Sequence, residues 1–417
     1  MSKPESYVPN MLDVGCGTRP KGDVNVDFFS GGFNPQEGDQ ARGEFLSPRK
    51  IRNFVVADAM HLPFRDEGFN VVFSSHTIEH VKNPALMLRE MCRVAKRKAI
   101  LRCPHRKGTG AVRPFHLNYM DEAWFQKASV ALGLESRQLV TSFDYPVTER
   151  IKLLSPKTLF PFIEKTTAYR AIRRLERTMI QTDTLHIPFE LEVWFRKKSA
   201  ASSSSVKLVF VVVYDDADRY RTHFGSSPYV SEAQTVAVFN ENNESLPKIY
   251  NRVVKDFQQD DIWFAFCHQD FVLSEDLVSH MKGKNTDAVY GLVGAIYGHG
   301  TLYGQVLLPD DKQFGIRLRE DLPVQTLDEM CLIVHSKTLR EGLSFDERFG
   351  SYFYGADFCM QAYVLGFDVM ATQVSCQRKN SMPHGRLTSP EYLSALHAFR
   401  EKWKPFLPVR TSTQLIE

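Results

Sequence analysis

Short apolar runs that end in polar residues recur along the chain, with helical periodicity between them. In the first half, the runs at 11–14, 53–60 and 69–81 each read as a buried strand. From 84 to 95, apolar residues at positions 86, 87, 91 and 94 follow the spacing of one helix face. Strands that alternate with helices predict an α/β sheet.

The same pattern returns in the second half after a break. Residues 199–205 are only serine and alanine, which cannot bury enough apolar surface to order themselves. VKLVFVVVYDD and DIWFAFCHQDF then predict two strands, and NNESLPKIYNRVVKDF predicts a helix between them. We therefore predict two α/β domains, 1–198 and 207–417, joined by a linker at 199–206.

The composition fits a globular protein of two or three domains. The chain has 417 residues, of which 43% are hydrophobic and 24% charged, which excludes a disordered tail or a fibrous protein. No stretch approaches the roughly 18 uncharged apolar residues of a membrane helix, and the start lacks a secretory signal pattern. The seven cysteines are scattered without a CxxC pair, which favours a reducing cytoplasm over a disulfide framework or zinc site.

The net charge of +3 hides two halves of opposite sign. Residues 1–198 carry 31 Lys+Arg against 22 Asp+Glu, whereas residues 199–417 carry 21 against 27. Part of the basic excess lies in 149–177, which can form a basic amphipathic helix on an anionic membrane surface or a simple lid or packing helix. Aromatic residues do not follow a nucleic-acid recognition pattern, so no nucleic-acid partner is expected.

A glycine-rich turn after the first strand predicts a cofactor site. Gly15 and Gly17 follow Asp13 and allow the backbone to approach a ligand closely. A dinucleotide site is disfavoured, because Pro20 stands where a third glycine is needed and Asp27 comes only ten residues after Gly17. A carboxylate at the end of the second strand can accept hydrogen bonds from both ribose hydroxyls of a ligand. A carboxylate at the end of the third strand can accept one from the exocyclic amine of adenine.

The first half resembles the class I S-adenosylmethionine-dependent methyltransferases. LDVGCG (12–17), NVD (25–27), residues 57–81 and LREMCRV (88–94) carry the resemblance in the family's order. It implies a Rossmann-like sheet that binds S-adenosylmethionine. The resemblance implies that Asp13, Gly15 and Gly17 shape the pocket for the methionine end of the cofactor. It also implies that Asp27 holds the ribose and that Asp58 with Ala59 faces the adenine. Only seven residues separate Gly17 from Asn25, so the usual first helix is shortened or missing.

Several of these residues also have purely structural interpretations. Asp13 can cap a turn, and Asp27 can be a surface carboxylate. Four histidines near strand ends are candidates for a base that deprotonates an acceptor hydroxyl: His76, His80, His105 and His116. We favour His76, because in this fold the strand before it points toward the transferred methyl group.

The second half resembles the inverting GT-A glycosyltransferases of the family-two type. YDD (214–216), IYN (249–251), FCHQDFVL (266–273), LSFDERF (343–349) and residues 352–369 carry the resemblance. It implies that Asp270 binds a divalent metal, Mn or Mg, and the sugar diphosphate, and that Asp357 deprotonates the acceptor. Asp215 and Asp216 would face the nucleotide.

Two departures from that pattern concern the metal and the base. His268 replaces the first acid of a DxD motif, and Ala356 precedes Asp357 where a carboxylate is usual. The third metal ligand stays open among Cys376, Arg378 and His384. Structural alternatives are a helix cap for Asp357 and a turn for Asp346.

Together these features predict a bifunctional cytoplasmic enzyme of surface-polysaccharide synthesis, in peripheral contact with the membrane through 149–177. It would methylate a sugar hydroxyl and transfer a sugar from a nucleotide-sugar donor to a glycan acceptor. The alternatives are a tailoring enzyme of a glycosylated small metabolite, and a methyltransferase with a catalytically silent sugar-binding module. The oligomeric state is not predicted.

Overall fold

The computed structural model divides the chain into two compact units. The residues that it describes are 10–28, 50–108, 111, 115–144, 160–163, 165–181, 187–197, 206–231, 234–257, 260–297, 301–307, 313–378 and 389–417. One unit forms within Met11–Lys198 and the other within Ser199–Glu417. Residues 199–205 of the predicted linker, 149–159 of the predicted amphipathic segment and His384 lie outside the described residues.

The first unit is built on a seven-stranded sheet with four described helices. Its strands are β1 (Met11–Val14), β2 (Val24–Asp27), β3 (Phe54–Val56), β4 (Phe69–Ser75), β5 (Ala95–Pro104), β6 (Leu134–Asp144) and β7 (Ile187–Lys197). The helices are α1 (Pro84–Val94), α2 (Glu122–Ala131), α3 (Phe160–Ile163) and α4 (Thr167–Gln181).

Strand order in this sheet fixes where a ligand can bind. The order is β3-β2-β1-β4-β5-β7-β6, with β1 to β5 parallel and β7 antiparallel to both of its neighbours. The order reverses beside β1, which pairs with β2 on one side and β4 on the other. In open α/β sheets, ligands bind outside the carboxyl ends of the strands at such a reversal.

Helix α1 shows why the local sequence folds as predicted. Asn83 caps it, since its side chain accepts a hydrogen bond from the Leu86 N–H, and Pro84 occupies the first helical position. Four side chains at helical spacing are buried against the sheet: Met87, Leu88, Met91 and Val94. The helix predicted over 84–95 is confirmed.

The second unit contains a mixed seven-stranded sheet and three smaller ones. Its strands are β8 (Leu208–Tyr214), β9 (Thr235–Phe239), β10 (Trp263–Cys267), β11 (Phe271–Leu273), β12 (Ala288–Gly291), β13 (Gly294–Ala295), β14 (Leu302–Tyr303), β15 (Gln305–Leu307), β16 (Gln313–Phe314), β17 (Leu322–Pro323), β18 (Thr326–Leu327), β19 (Cys331–His335), β20 (Asp368–Ala371), β21 (Ser375–Arg378), β22 (Val409–Arg410) and β23 (Leu415–Ile416). The helices are α5 (Ala217–Thr222), α6 (Leu246–Asp256), α7 (Leu277–His280), α8 (Ser336–Arg340), α9 (Tyr354–Leu365) and α10 (Pro390–Trp403).

The main sheet of this unit has the order β17-β20-β12-β19-β10-β8-β9. Strands β8, β9 and β10 are parallel, and β19 runs antiparallel between β10 and β12. The carboxyl ends of β8 and β10 therefore lie side by side. The smaller sheets are β11-β21-β15-β16, β14-β13-β18 and β22-β23.

Two predicted strands are shorter than expected. The strand over 53–60 is only β3, and the strand over 69–81 ends at Ser75, because His76 has a φ of 53° that breaks the extended backbone. Residues 15–23, which are all described, form turns and no helix, as the short spacing to Asn25 predicted. Among the described residues, no helix combines the length and apolar character needed to cross a bilayer.

Candidate active site

The turn after β1 forms a narrow backbone cradle. Gly15 and Gly17 both adopt left-handed φ angles, 74° and 52°, which favour glycine. A Cβ on Gly15 would lie 2.0 Å from the Thr77 hydroxyl oxygen, whereas a Cβ on Gly17 would meet nothing within 4 Å. The turn is therefore pressed against the end of β4 at Gly15 and open at Gly17.

Two carboxylates flank this cradle. Asp27 ends β2, and its Oδ2 accepts a hydrogen bond from the Gly17 N–H at 2.9 Å. Asp13 lies in β1, 3% exposed, and accepts a hydrogen bond from the Lys21 N–H at 2.8 Å. Burial raises the pKa of Asp13 to about 7. Both carboxylates are thus held by backbone amides at the edge of the sheet where a ligand is expected.

Asp58 and Ala59 follow β3 at the same edge. The Asp58 carboxylate accepts a hydrogen bond from the Met60 N–H at 2.8 Å, and its backbone carbonyl accepts one from the His61 N–H. The side chain is about one-third exposed. The predicted adenine contact of these two residues stays a prediction, and the turn explains how Asp58 is held.

His76 follows β4 and is paired with two carboxylates. Its Nε2 lies 2.9 Å from Glu190 on β7, and its Nδ1 lies 3.4 Å from Glu79. Partial burial lowers the pKa of His76, but the two nearby carboxylates of Glu190 and Glu79 outweigh it and raise the pKa to about 10. A protonated imidazolium cannot accept another proton, so this arrangement does not support the predicted base role.

Contacts from β7 were not visible in the sequence. Glu190 is 114 residues from His76, and Glu192 pairs with Arg102 at the end of β5. The antiparallel insertion of β7 beside β5 brings both glutamates to the ligand edge. His105 is buried and pairs with Glu122 at 2.9 Å, which gives that base candidate a structural role.

In the second unit, the ends of β8 and β10 line a pocket of about 450 Å³. Gln269 joins the two strand ends: its Oε1 accepts hydrogen bonds from the Asp215 and Asp216 N–H groups, and its Nε2 donates to the Asp215 carboxylate. The predicted residues Asp215, His268 and Asp270 all line the pocket, together with Arg219 and Arg378. The sequence had offered Arg378 only as an unresolved ligand candidate.

Asp216 does not line this pocket. Its Oδ1 accepts hydrogen bonds from the Asp218 and Arg219 N–H groups and so caps α5. Asp216 therefore caps the helix, since this oxygen accepts hydrogen bonds from otherwise unpaired amides of the first turn. Its predicted substrate contact stays a prediction.

The Asp270 carboxylate is neutralised by an arginine. Arg378 Nη2 donates to Oδ2 at 2.8 Å, while Oδ1 is buried and has no hydrogen-bond partner among the described residues. Burial raises the pKa of Asp270, but Arg378 and His268 outweigh it and hold the pKa below its usual value. His268 is tied to Tyr354, with Nε2 2.8 Å from the phenol oxygen.

The predicted Mn or Mg ion does not fit these partners. A hard divalent ion needs several oxygen ligands, and carboxylates supply most of the protein's share. Within the described part of the second unit, no three His, Cys, Asp or Glu side chains come close enough to share one ion. Arg378 already neutralises the Asp270 carboxylate through Oδ2, which weakens its attraction for a metal ion.

Asp357 is enclosed rather than open to an acceptor. It lies in the first turn of α9 and is 0% exposed. Trp403 Nε1 and Lys402 Nζ, both from α10, lie 2.8 and 2.6 Å from Oδ1, and Gln361 Nε2 donates to Oδ2 at 2.7 Å. A base must reach the proton that it removes. The structure therefore corrects the predicted catalytic role: Asp357 is the buried anchor of α10.

Comparisons with known proteins concern the first unit. Residues 12–103 match the family model described as a methyltransferase domain. A norajmaline N-methyltransferase of Rauvolfia serpentina is 34% identical over 107 residues, which cover 22% of this chain and 34% of that enzyme. A demethylmenaquinone methyltransferase of Roseiflexus sp. (strain RS-1) is 33% identical over 124 residues, which cover 27% of this chain and 48% of that enzyme.

A solved S-adenosylmethionine-dependent methyltransferase from Archaeoglobus fulgidus is 16% identical, with a TM-score of 0.30, over 46% of this chain and 86% of that structure. The chain spans between about a third and half of the length of the two curated relatives. The matched residues 12–103 lie in the first unit, whose parallel strands β1 to β5 form a Rossmann-like sheet.

Proposed function

We propose that the first unit transfers the methyl group of S-adenosylmethionine to a hydroxyl of a sugar or glycan. The observation that carries the proposal is the cradle of Gly15 and Gly17 with the Asp27 carboxylate beside it. S-adenosylmethionine supplies a methyl group activated by a sulfonium. Gly17 offers open space for the cofactor, and Asp27 ends the strand where ribose hydroxyls would be accepted.

We infer that the residues that determine acceptor specificity lie outside 12–103. The two relatives are named for different acceptors, norajmaline and demethylmenaquinone. We infer that residues 12–103 serve mainly the cofactor. Methyl transfer depends chiefly on alignment of the nucleophile with the sulfonium, so the His76 imidazolium can position the acceptor without acting as base.

Calorimetric titration with S-adenosylmethionine tests the cofactor assignment. Asp27→Asn should weaken binding roughly 10- to 150-fold, because a hydrogen bond to a charged group contributes about 1.5–3 kcal/mol. Asp66→Asn is the matched control, since Asp66 is an exposed carboxylate of the same unit that pairs with Arg93. Equal affinities of Asp27→Asn and the parent would refute the ribose assignment.

We propose in addition that the second unit binds a nucleotide sugar and transfers the sugar to a glycan, in a pathway of surface-polysaccharide synthesis. The specific support is the pocket at the ends of β8 and β10, where Arg219 and Arg378 can face a diphosphate and Asp215 a nucleoside. The enclosed Asp357 leaves the acceptor base to another group.

A panel of nucleotide sugars distinguishes transfer from mere binding. Donor hydrolysis or transfer that Arg378→Gln abolishes supports a glycosyltransferase. Binding without turnover supports a silent sugar-binding module beside the methyltransferase. If no nucleotide diphosphate binds the parent protein, both the glycosyltransferase and the sugar-binding module are refuted. Arg400→Gln, which removes an exposed arginine of α10, controls for general loss of positive charge.

A further inference from the structure

The first unit contains a cluster of two histidines and a glutamate that the cofactor site does not use. Glu79, His80 and His116 each offer one ligand atom, and the three atoms lie within 4.8 Å of one another. Glu79 and His80 follow β4 in the same turn as Thr77, which lies against the Gly15 turn. His116 comes from the segment between β5 and α2, so distant parts of the chain build the cluster.

The histidine rings are oriented as metal ligands usually are. Nδ1 of His80 lies 3.0 Å from the Phe115 carbonyl oxygen, and Nδ1 of His116 lies 2.7 Å from the Ala111 carbonyl oxygen. A carbonyl oxygen only accepts, so each Nδ1 must carry the proton and donate it. In a neutral ring, Nε2 then holds the lone pair, and this second hydrogen bond fixes the ring as in known metal sites.

The burial of the Glu79 carboxylate is a second, independent observation that points to a bound cation. Its side chain is 2% exposed, and within the described residues neither carboxylate oxygen has a hydrogen-bond donor in good geometry. His76 forms an ion pair with Oε1 at 3.4 Å. A buried carboxylate of this kind is costly unless a cation or donors compensate it. His76 compensates this carboxylate in part, and a metal ion on the His80 and His116 side would supply the remainder.

Backbone contacts hold the cluster together. The Glu79 carbonyl oxygen accepts hydrogen bonds from the N–H groups of Leu117, at 2.7 Å, and Asn118, at 3.1 Å. The Asn118 side chain donates to the Ile78 and Val81 carbonyl oxygens. The strand-end turn that carries Glu79 and His80 is thereby tied to the segment that carries His116, so the ligands are pre-positioned.

We propose that Glu79, His80 and His116 form a site for a divalent transition-metal ion of the zinc type. Two imidazoles and one carboxylate are a common three-residue set of catalytic zinc and iron sites, which leave a further position for water or substrate. Ligand atoms around tetrahedral zinc are about 3.3 Å apart, given bond lengths of about 2.0–2.1 Å. Binding therefore needs the side chains to draw inward by roughly 1.5 Å at the widest separation.

The open position would face the acceptor. Exposed apolar side chains on either side of His116, Phe115 and Leu117, offer a surface against which an acceptor can lie. A bound metal ion lowers the pKa of a coordinated hydroxyl and would thereby ease its deprotonation. This catalytic use rests on the proposed methyltransferase function, whereas metal binding itself does not.

Cobalt(II) titration of the full chain tests the site directly. We expect one equivalent of Co²⁺ to bind with visible d–d absorption, and competition by Zn²⁺. His80→Ala, His116→Ala and Glu79→Gln should each weaken that equivalent at least about 100-fold, since even the partners of metal ligands affect affinity by 10- to 100-fold. Retained binding of S-adenosylmethionine shows that a variant is folded, and separates failure of this site from failure of the proposed function.

Two controls locate the bound ion. His397→Ala removes an exposed histidine of α10 and should leave the cobalt spectrum unchanged. Asp270→Ala removes the metal ligand that the sequence predicted in the second unit and should also leave it unchanged. The proposal is overturned if the parent binds no Co²⁺, if all three ligand variants keep full affinity, or if Asp270→Ala alone abolishes binding.

Discussion

The contact between the Gly15 turn and the end of β4 gives a sharp prediction about the cofactor cradle. In Gly15→Ala, the new methyl group would lie 2.0, 2.6 and 2.8 Å from Oγ1, Cγ2 and Cβ of Thr77. In Gly17→Ala, the methyl group would enter open space. Both positions carry the same type of backbone strain, because φ is 74° at Gly15 and 52° at Gly17.

The two effects can be separated numerically. A left-handed residue with a Cβ costs roughly 1–2 kcal/mol, which applies to both variants. Overpacking adds about 1–3 kcal/mol, which applies only to Gly15→Ala. We therefore expect the first unit to lose about 2–5 kcal/mol of unfolding free energy in Gly15→Ala and about 1–2 kcal/mol in Gly17→Ala.

A double-mutant cycle with Thr77→Ala isolates the overpacking. This substitution removes Oγ1 and Cγ2 but keeps Cβ, so it should recover most of the additional loss in Gly15→Ala. The losses of unfolding free energy caused by Thr77→Ala and by Gly17→Ala should add to within about 0.5 kcal/mol in the double variant. Urea-dependent hydrogen exchange of peptides from 69–104 reports on this unit alone.

Two results would refute the reasoning. Equal destabilisation by the two glycine variants would show that the Thr77 contact adds nothing. Absence of recovery in the Gly15→Ala, Thr77→Ala double variant would show that the loss has another source. Affinity for S-adenosylmethionine, measured on the same variants, should fall further for Gly15→Ala than for Gly17→Ala. The contact with Thr77 in Gly15→Ala would displace the turn that forms the cradle.

Three further predictions concern buried or capping carboxylates. Burial raises the pKa of Asp13 to about 7, so the folded state keeps a proton that the unfolded state loses near pH 4. The stability of the first unit should therefore fall as pH rises from about 4 to 7. The urea midpoint of Asp13→Asn should lack this decline, and the same pH dependence in Asp13→Asn and the parent would contradict the assignment. Asp357→Ala should cost about 3–5 kcal/mol in urea unfolding, because it removes one member of a buried ion pair with Lys402, and a loss below about 1 kcal/mol would show that α10 is anchored otherwise. Asp216→Ala should lower the urea midpoint slightly through the lost cap of α5, with nucleotide-sugar binding unchanged. Loss of binding at unchanged stability would support its predicted substrate role.

The sequence alone determined the elements whose signals are local. Helix α1 lies where the apolar spacing over 84–95 predicts it, and the apolar run after the serine-rich segment is β8 over Leu208–Tyr214. Gly15 and Gly17 marked a left-handed turn, and the carboxylate that ends β2 lies beside it. Backbone propensity, capping and apolar periodicity act over a few residues, so a single sequence carries them.

Only the tertiary structure decided which of the candidate residues are available for chemistry. His76 meets Glu190 across 114 positions, Asp270 meets Arg378 across 108, and Asp357 is covered by Trp403 across 46. Each contact changes the charge or the accessibility of a residue whose local pattern had suggested a base or a metal ligand. The Glu79, His80 and His116 cluster arises in the same way. The protonation state and reach of a side chain depend on burial and on neighbouring charges, and the packing of distant segments sets both.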